Sequence, residues 1–244
     1  MSISQRQKQI LSLLEDRSFV TVKELALLTF TSESSIRRDL TYLQNNGLVK
    51  RTHGGVSTVE PTANVASYYD RQHKNANKKR IIAQKAAYLL KEGQTVLLDS
   101  STTATFLLPH IARLHNITVF TNNLSTALHA IELGINTHCL GGQSVNGSVA
   151  LSGSETFDAL SNLSVDILFF SSQSLDGNGN ISDSTEEENY VRKMMLRSAK
   201  TTVFLCDSEK FHKQSTYRLC NLANIDIAVF DIPYPDLPVN CKML

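Results

Sequence analysis

Apolar residues recur every three to four positions through the first 45 residues, and the rhythm then changes twice. In 3–17, Ile10, Leu13 and Leu14 share one face of a helix, with Arg6 and Lys8 directed outward. Phe19 and Val20 break that period as a short extended link. Thr21 is an N-cap, with Glu24 three residues on to complete a capping box, and Val22, Leu25 and Leu28 point inward from the helix it starts. Phe30 and Thr31 make a turn and Ser32 caps a third helix, whose buried stripe is Ile36, Leu40 and Leu43. Asn45-Asn46-Gly47 supplies a left-handed stop. Two short strands, 48–51 and 56–59, then flank Thr52-His53-Gly54-Gly55. Helix, turn, helix and hairpin predict a winged helix-turn-helix over residues 1–58.

The period lapses in 59–76, which contains Pro61 and many polar residues and is expected to be a linker that turns helical near Asn75. A different pattern fills 77–244. Apolar runs of four to six residues at 95–98, 117–120, 137–140, 167–170, 201–205 and 225–230 alternate with helical stretches, among them 77–90 and 185–199. Short apolar strands between helices predict a mostly parallel sheet covered on both faces. The fold class expected is therefore α/β, with a winged helix-turn-helix joined to a larger α/β domain. Glu186-Glu187-Glu188 is expected as the acidic first turn of the 185–199 helix, where the dipole favours carboxylates.

Charge sharpens the division. The net charge of +1 conceals +6 in residues 1–80 and −5 in residues 81–244. A basic amino-terminal part fits a phosphate-bearing partner, and the acidic remainder does not. The four cysteines lack paired or metal-type spacing, so neither a zinc site nor any cofactor is expected. No secretory apolar region and no 18-residue apolar run is visible, which predicts a soluble, cytoplasmic chain with no membrane partner.

On the third helix, Ser34, Ser35, Arg37, Arg38 and Thr41 occupy the arc opposite the buried stripe. Hydroxyls near a helix N-terminus, Ser32 included, suit phosphate, and arginine grips guanine or phosphate by paired hydrogen bonds. Lys50, Arg51 and His53 add a basic wing, with Gly54 and Gly55 allowing close approach to a sugar–phosphate backbone. Asp39 is expected to orient an arginine. These features predict double-stranded operator DNA as partner, read by a homodimer or homotetramer.

The run SSIRRDLTYLQNNGLVKRTHGGV resembles the amino-terminal signature of the DeoR family of transcriptional regulators. Arg6, Ile10, Leu14, Ser32, Ile36, Arg37, Arg38, Asp39 and Leu40 occupy its positions, and Ser35 stands where the family usually has Thr.

In an open parallel sheet, ligands bind beyond the carboxyl ends of the strands. Small polar residues gather there: Asp99-Ser100-Ser101-Thr102-Thr103, Thr121-Asn122-Asn123, Gly141-Gly142, Asp176, and Asp207 through Lys210. Hydroxyls and a lysine suit phosphate; carboxylates and amides suit sugar hydroxyls. The same segments resemble the DeoR sensor domain, whose Asp-Ser-Gly-Thr-Thr, Thr-Asn-Asn, Gly-Gly and Asp-x-x-Lys-Phe appear as DSSTT, TNN, LGG and DSEKF. The resemblance implies a fold related to ribose-5-phosphate isomerase and a sugar-phosphate effector. Ser101 replaces the family's phosphate-loop glycine, and the stretch before Asp176, FFSSQSLD, lacks the family's glycine. The function expected is a sequence-specific transcription regulator, a repressor of carbohydrate genes controlled by a phosphorylated sugar. The alternative is a sugar-phosphate isomerase with a DNA-binding appendage, in which Asp99, Asp176 and Lys210 would do acid–base work.

Overall fold

The structure is a computed structural model that describes residues 4–17, 19–45, 48–52, 54–58, 63–235 and 241–244. The chain divides into two compact units, Met1–Pro61 and Thr62–Leu244.

The first unit runs α1 (Gln5–Asp16), β1 (Phe19–Thr21), α2 (Val22–Leu28), α3 (Glu33–Asn45), β2 (Val49–Thr52) and β3 (Gly55–Thr58). Ser4 and Gln7 form a capping box on α1, and Thr21 and Glu24 form the expected one on α2. Each satisfies amides that a helix start leaves without partners. Ile10, Leu14, Val22, Leu25, Ile36, Leu40 and Leu43 meet Val20, Val49 and Val56 in one core. Leu28, expected inward, is exposed, because α2 ends there and the chain turns through Phe30 at φ 51°. The hairpin is three-stranded rather than two: β1 pairs antiparallel with β3, which also pairs with β2. The Asn46-Gly47 stop and His53 lie outside the described residues.

The second unit starts earlier than the linker reading allowed. Residues 63–73 are not linker but a helix, α4 (Ala63–His73), and Tyr68 anchors it, its buried hydroxyl 3.3 Å from the Thr105 hydroxyl. There follow α5 (Ala76–Ala86), β4 (Thr95–Leu98), α6 (Thr102–Thr105), α7 (Leu108–Ile111), β5 (Thr118–Thr121), α8 (Leu124–Glu132) and β6 (Asn136–Cys139). A small hairpin, β7 (Gln143–Ser144) and β8 (Leu151–Ser152), precedes α9 (Ser154–Ser161) and β9 (Val165–Phe170). The rest is β10 (Ser174–Leu175), β11 (Asn180–Asp183), α10 (Glu186–Ser198), β12 (Ala199–Cys206), β13 (Tyr217–Asn221), β14 (Ile227–Phe230) and β15 (Lys242–Met243).

Seven strands form one parallel sheet in the order β15-β14-β12-β9-β4-β5-β6. Alternation along each strand splits the core in two. Leu97, Leu168, Phe170 and Phe204 face one layer; Val96, Leu98, Ile167, Phe169, Val203 and Leu205 face the other. A second, antiparallel sheet, β10-β11-β13, packs Leu175, Ile181 and Leu219 onto the first layer. The strand order reverses at β4. The chain builds β5 and β6 on one side of it, then returns to place β9 and β12 on the other. Such a reversal opens a crevice beyond the carboxyl ends of β4 and β9.

Candidate DNA interface and effector site

On α3 the side chains of Ser34, Arg37, Arg38 and Thr41 are exposed, and Ser35 is half-buried. The Ser32 hydroxyl accepts from the Ser35 amide at 3.3 Å and lies 3.0 Å from the Ser34 hydroxyl, so three hydroxyls cluster at the helix start. Arg37 pairs with Glu33, one turn back, in an exposed pair that contributes little to stability. Arg51 reaches from β2 to donate to the Thr41 hydroxyl at 3.3 Å, tying the wing to α3 beside an exposed Lys50. Gly54 is exposed at φ 85°, a left-handed turn that glycine adopts without strain. Gly55 does otherwise than expected. It is buried against β1, where a Cβ would stand 2.7 Å from the Val20 carbonyl oxygen, so its smallness serves packing.

Asp39 does orient an arginine, but one from another helix. Its carboxylate accepts from Arg6 Nε and, at 3.2 Å, from Gln7 Nε2, clasping α3 to α1. Arg6, expected to point outward, is thus a structural partner, and its hydrogen bond to Asp39 raises its pKa above the ordinary arginine value.

In the second unit, the crevice at the strand reversal holds a cavity of about 250 Å³. Ser101, Thr102 and Thr103 line it from the β4 loop, Ser171 and Gln173 from the β9 loop, and Asp207 and Lys210 from the β12 loop. Strand order explains the meeting: β4, β9 and β12 are neighbours, so their loops share one crevice. Lys210 Nζ donates to the Ser171 hydroxyl at 2.9 Å and lies 3.5 Å from Asp207. The Ser101 side chain, present where the family has glycine, turns back to cap α6 by accepting from the Ala104 amide.

The other expected residues play different parts. Asp99 does not line the cavity. Buried at 1% exposure, it accepts from the Ser101 amide at 3.1 Å, the Ser171 amide at 3.3 Å and Arg192 Nε at 2.9 Å, so it ties the β4 and β9 loops together. Ser100 is buried, and its carbonyl accepts from Asn123. Thr121, Asn122 and Asn123 follow β5, on the far side of β4 from β9. The Thr121 hydroxyl accepts from the Asn123 amide, Asn123 caps α8, and Asn122 donates to the Leu151 carbonyl. Gly141 and Gly142 follow β6, farther still; Gly142, at φ 126°, packs against Ser152 and Thr156. Asp176, expected at the pocket, instead accepts from the amides of Asn178 and Asn180 and shapes its own turn.

Several cavity residues escaped the sequence reading, Lys79, Arg71 and Arg192 among them. Lys79, on α5, is 4% exposed, donates to the Arg71 carbonyl, and donates to the Thr102 hydroxyl at 3.0 Å. Burial, with Lys210, Arg71 and Lys74 nearby, pulls its pKa down to about 8, against the attraction of Asp207. Arg71 itself comes from the supposed linker. Arg192, on α10, is 4% exposed and binds Asp99, Asp183 and Glu188 at 2.9, 2.9 and 3.0 Å. The i, i+4 spacing of Glu188 and Arg192 was the only hint of that cluster in the sequence.

A winged helix-turn-helix with a basic recognition face, followed by a parallel α/β domain with a cationic crevice, is the architecture of a DNA-binding transcription regulator. The comparisons assign the family. The DeoR-like helix-turn-helix domain matches residues 6–62, and the DeoR C terminal sensor domain matches residues 74–232. The chain belongs to the DeoR family of transcriptional regulators. It is 34% identical to the L-fucose operon activator of Haemophilus influenzae over 236 residues, 95% of this chain and 93% of that one. It is 29% identical to the HTH-type transcriptional regulator GolR of Listeria innocua, over 93% and 90% of the two chains. The glycerol-3-phosphate regulon repressor of Haemophilus influenzae is 26% identical, over 96% and 91%. Among solved structures, ribose 5-phosphate isomerase A from Methanocaldococcus jannaschii is similar with a TM-score of 0.43 and 16% identity, covering 57% of this chain and 55% of that one. Among the described residues, no helix is long and apolar enough to cross a membrane.

Proposed function

We propose that the protein represses a carbohydrate operon by binding operator DNA through α3 and the wing, and that a phosphorylated sugar in the crevice releases it. The cavity beyond β4, β9 and β12 is the observation that supports this reading. It gathers Lys79, Lys210, Arg71, Lys74 and Lys213 around hydroxyl groups, a set suited to a phosphate dianion. The α4 helix begins two residues after the end of the first unit and supplies Arg71 to the cavity wall. A ligand that shifts α4 therefore acts on the segment leading to the DNA reader, and differential affinity for the two arrangements provides the coupling.

The enzyme reading is weaker because the cavity's carboxylates have cationic or amide partners. Asp183 binds Arg192, Glu209 binds Lys78 at 2.9 Å, and Asp207 accepts from Asn75 and faces Lys210. None is left as a free general base, and Asp99 is locked by Arg192. A panel of pentose and hexose phosphates incubated with the protein is expected to return unconverted.

The test is direct. An operator selected from a random duplex pool is titrated with protein, with and without sugar phosphates. Loss of DNA affinity on adding one of them is expected; indifference to all of them overturns the effector reading. On the selected operator, Arg37→Ala or Arg38→Ala is expected to cost about 1–3 kcal/mol by removing base contacts. Lys50→Ala is expected to weaken all sequences alike and to lower the salt slope by about one. If both arginine variants bind as the parent does, α3 is not the reading helix.

Assembly follows from the same reading. Leu124, Leu128 and Ile131 stand 49%, 60% and 60% exposed along one face of α8. That helix packs beside β6, the open edge of the main sheet. An apolar stripe at i, i+4, i+7 beside an unpaired edge suits a second copy of the chain, as two-fold operator reading requires. Leu128→Glu with Ile131→Glu is expected to reduce the sedimenting mass to that of a monomer. An unchanged mass places the interface elsewhere.

A further inference from the structure

A second cavity of about 190 Å³ adjoins the first, and Arg71 and Gln173 line both. Its chemistry differs. The first cavity is crowded with lysines, whereas the second balances Arg71 against Glu188 and is otherwise walled largely by hydroxyls and amides. Gln173 donates to the Ser184 hydroxyl at 2.8 Å, holding one wall in place. Glu188 gives one carboxylate oxygen to Arg192 at 3.0 Å, and a carboxylate has further lone pairs for hydroxyl donors.

Thr185 is the telling residue. It occupies the N-cap of α10, where a threonine hydroxyl normally accepts from a helix amide, yet it makes no such bond. Its Oγ1 is buried and without a hydrogen-bond partner, and the residue lines the second cavity. A hydroxyl left unpaired is costly, and a turn of the Thr185 side chain about χ1 towards the cavity would let a ligand hydroxyl remove that cost.

We propose that the second cavity is a subsite for sugar hydroxyls, through which the protein selects pentose and hexose phosphates over three-carbon phosphates. This rests on the first cavity being the phosphate site. A ligand whose phosphate is held near Lys79 and Lys210 reaches Thr185 only if its carbon chain continues past Arg71 and Gln173. A site built to hydrogen-bond a hydroxyl rejects ligands that cannot supply it, because its own polar groups then stay unpaired. A short ligand such as glycerol 3-phosphate fills the first cavity and leaves the second unused.

The experiment measures affinities of the full-length protein for inorganic phosphate, glycerol 3-phosphate and a panel of pentose and hexose phosphates by calorimetry. At least one longer ligand is expected to bind tenfold or more tightly than glycerol 3-phosphate. Thr185→Val, nearly isosteric and removing no helix cap bond, is expected to weaken that ligand by about five- to tenfold while phosphate and glycerol 3-phosphate bind as before. Thr185→Ser should retain the preference. Equal binding of long and short ligands by the parent protein overturns the subsite, and so does a Thr185→Val variant that loses affinity for all of them alike. If no phosphate compound binds, the phosphate reading of the first cavity fails and the subsite fails with it. Phosphate binding without chain-length preference removes the subsite alone.

Discussion

Replacing Arg192 by Met is expected to destabilise the sensor domain by about 3–5 kcal/mol, the range for breaking a buried ion pair from one side. The guanidinium is 4% exposed and spreads its nitrogens over Asp99, Asp183 and Glu188. Three carboxylates against one cation leave the cluster no spare positive charge, and the attraction of those carboxylates outweighs burial to raise the arginine pKa further. Without it, Asp99 and Asp183 remain buried as uncompensated charges. For a domain of this size the loss corresponds to roughly 6–20 °C in the melting transition. Asp99 also accepts from the Ser101 and Ser171 amides, so the variant should loosen the β4 and β9 loops and weaken phosphate binding even where the domain is folded. Hydrogen exchange at the strands β4, β9 and β12 reads the global term. A variant that melts with the parent would mean that Arg192 contributes nothing net.

The helices of the winged domain were legible because their signals are local. The Thr21–Glu24 box, the Ser32 cap and the Ile36, Leu40, Leu43 stripe each lie within a single helix or its cap. The third strand of its sheet was legible only as an extended link, since pairing of Phe19–Thr21 with Gly55–Ser57 joins residues more than 30 apart. In the sensor domain the parallel strands announced themselves as apolar runs. The small sheet β10-β11-β13 did not, because Ser174, Asn180, Ser182, Asp183 and Asn221 are poor strand formers held there by packing. Residues 59–76 misled for a related reason: polar composition suggested a linker, whereas Tyr68 docks a helix against Thr105.

The site was harder to read than the fold. Five polar strand ends looked equivalent in the sequence. Strand order separates them, placing the loops after β4, β9 and β12 around one crevice and those after β5 and β6 away from it. No single-chain pattern encodes that reversal. Nor does a lysine within the run Lys78-Lys79-Arg80 distinguish itself: Lys78 pairs with Glu209 and Arg80 is exposed, while Lys79 alone is buried and turned to Thr102.

Lys79 should therefore make phosphate binding pH-dependent in a window where phosphate itself does not titrate. Its pKa in the folded protein is about 8, against an ordinary value of 10.5. Below pH 8 the residue is charged in both folded and unfolded chains, and the fold bears the full cost of burying that charge beside Lys210, Arg71 and Lys74. Between pH 8 and 10.5 the folded state sheds the proton first, so the contribution of Lys79 to stability rises with pH. Ligand binding runs the other way. A phosphate monoester is a dianion above about pH 6, and its charge favours the protonated lysine, so above pH 8 binding must take up a proton. Affinity for a sugar phosphate is expected to be nearly level from pH 7 to 8 and then to fall, approaching tenfold per pH unit, towards pH 10. Lys79→Met should cost about ten- to a hundredfold at pH 7, the range for one buried charge-assisted hydrogen bond of about 1.5–3 kcal/mol, and should abolish most of the decline above pH 8. Lys210→Met should cost a similar factor and move the onset of that decline to higher pH, since Lys210 is one of the charges that lowers the Lys79 pKa. Calorimetry in two buffers of different ionisation enthalpy counts the protons taken up. A parent protein that takes up none at pH 9, or a Lys79→Met variant with the parent's affinity at pH 7, would show that the phosphate is held without this lysine.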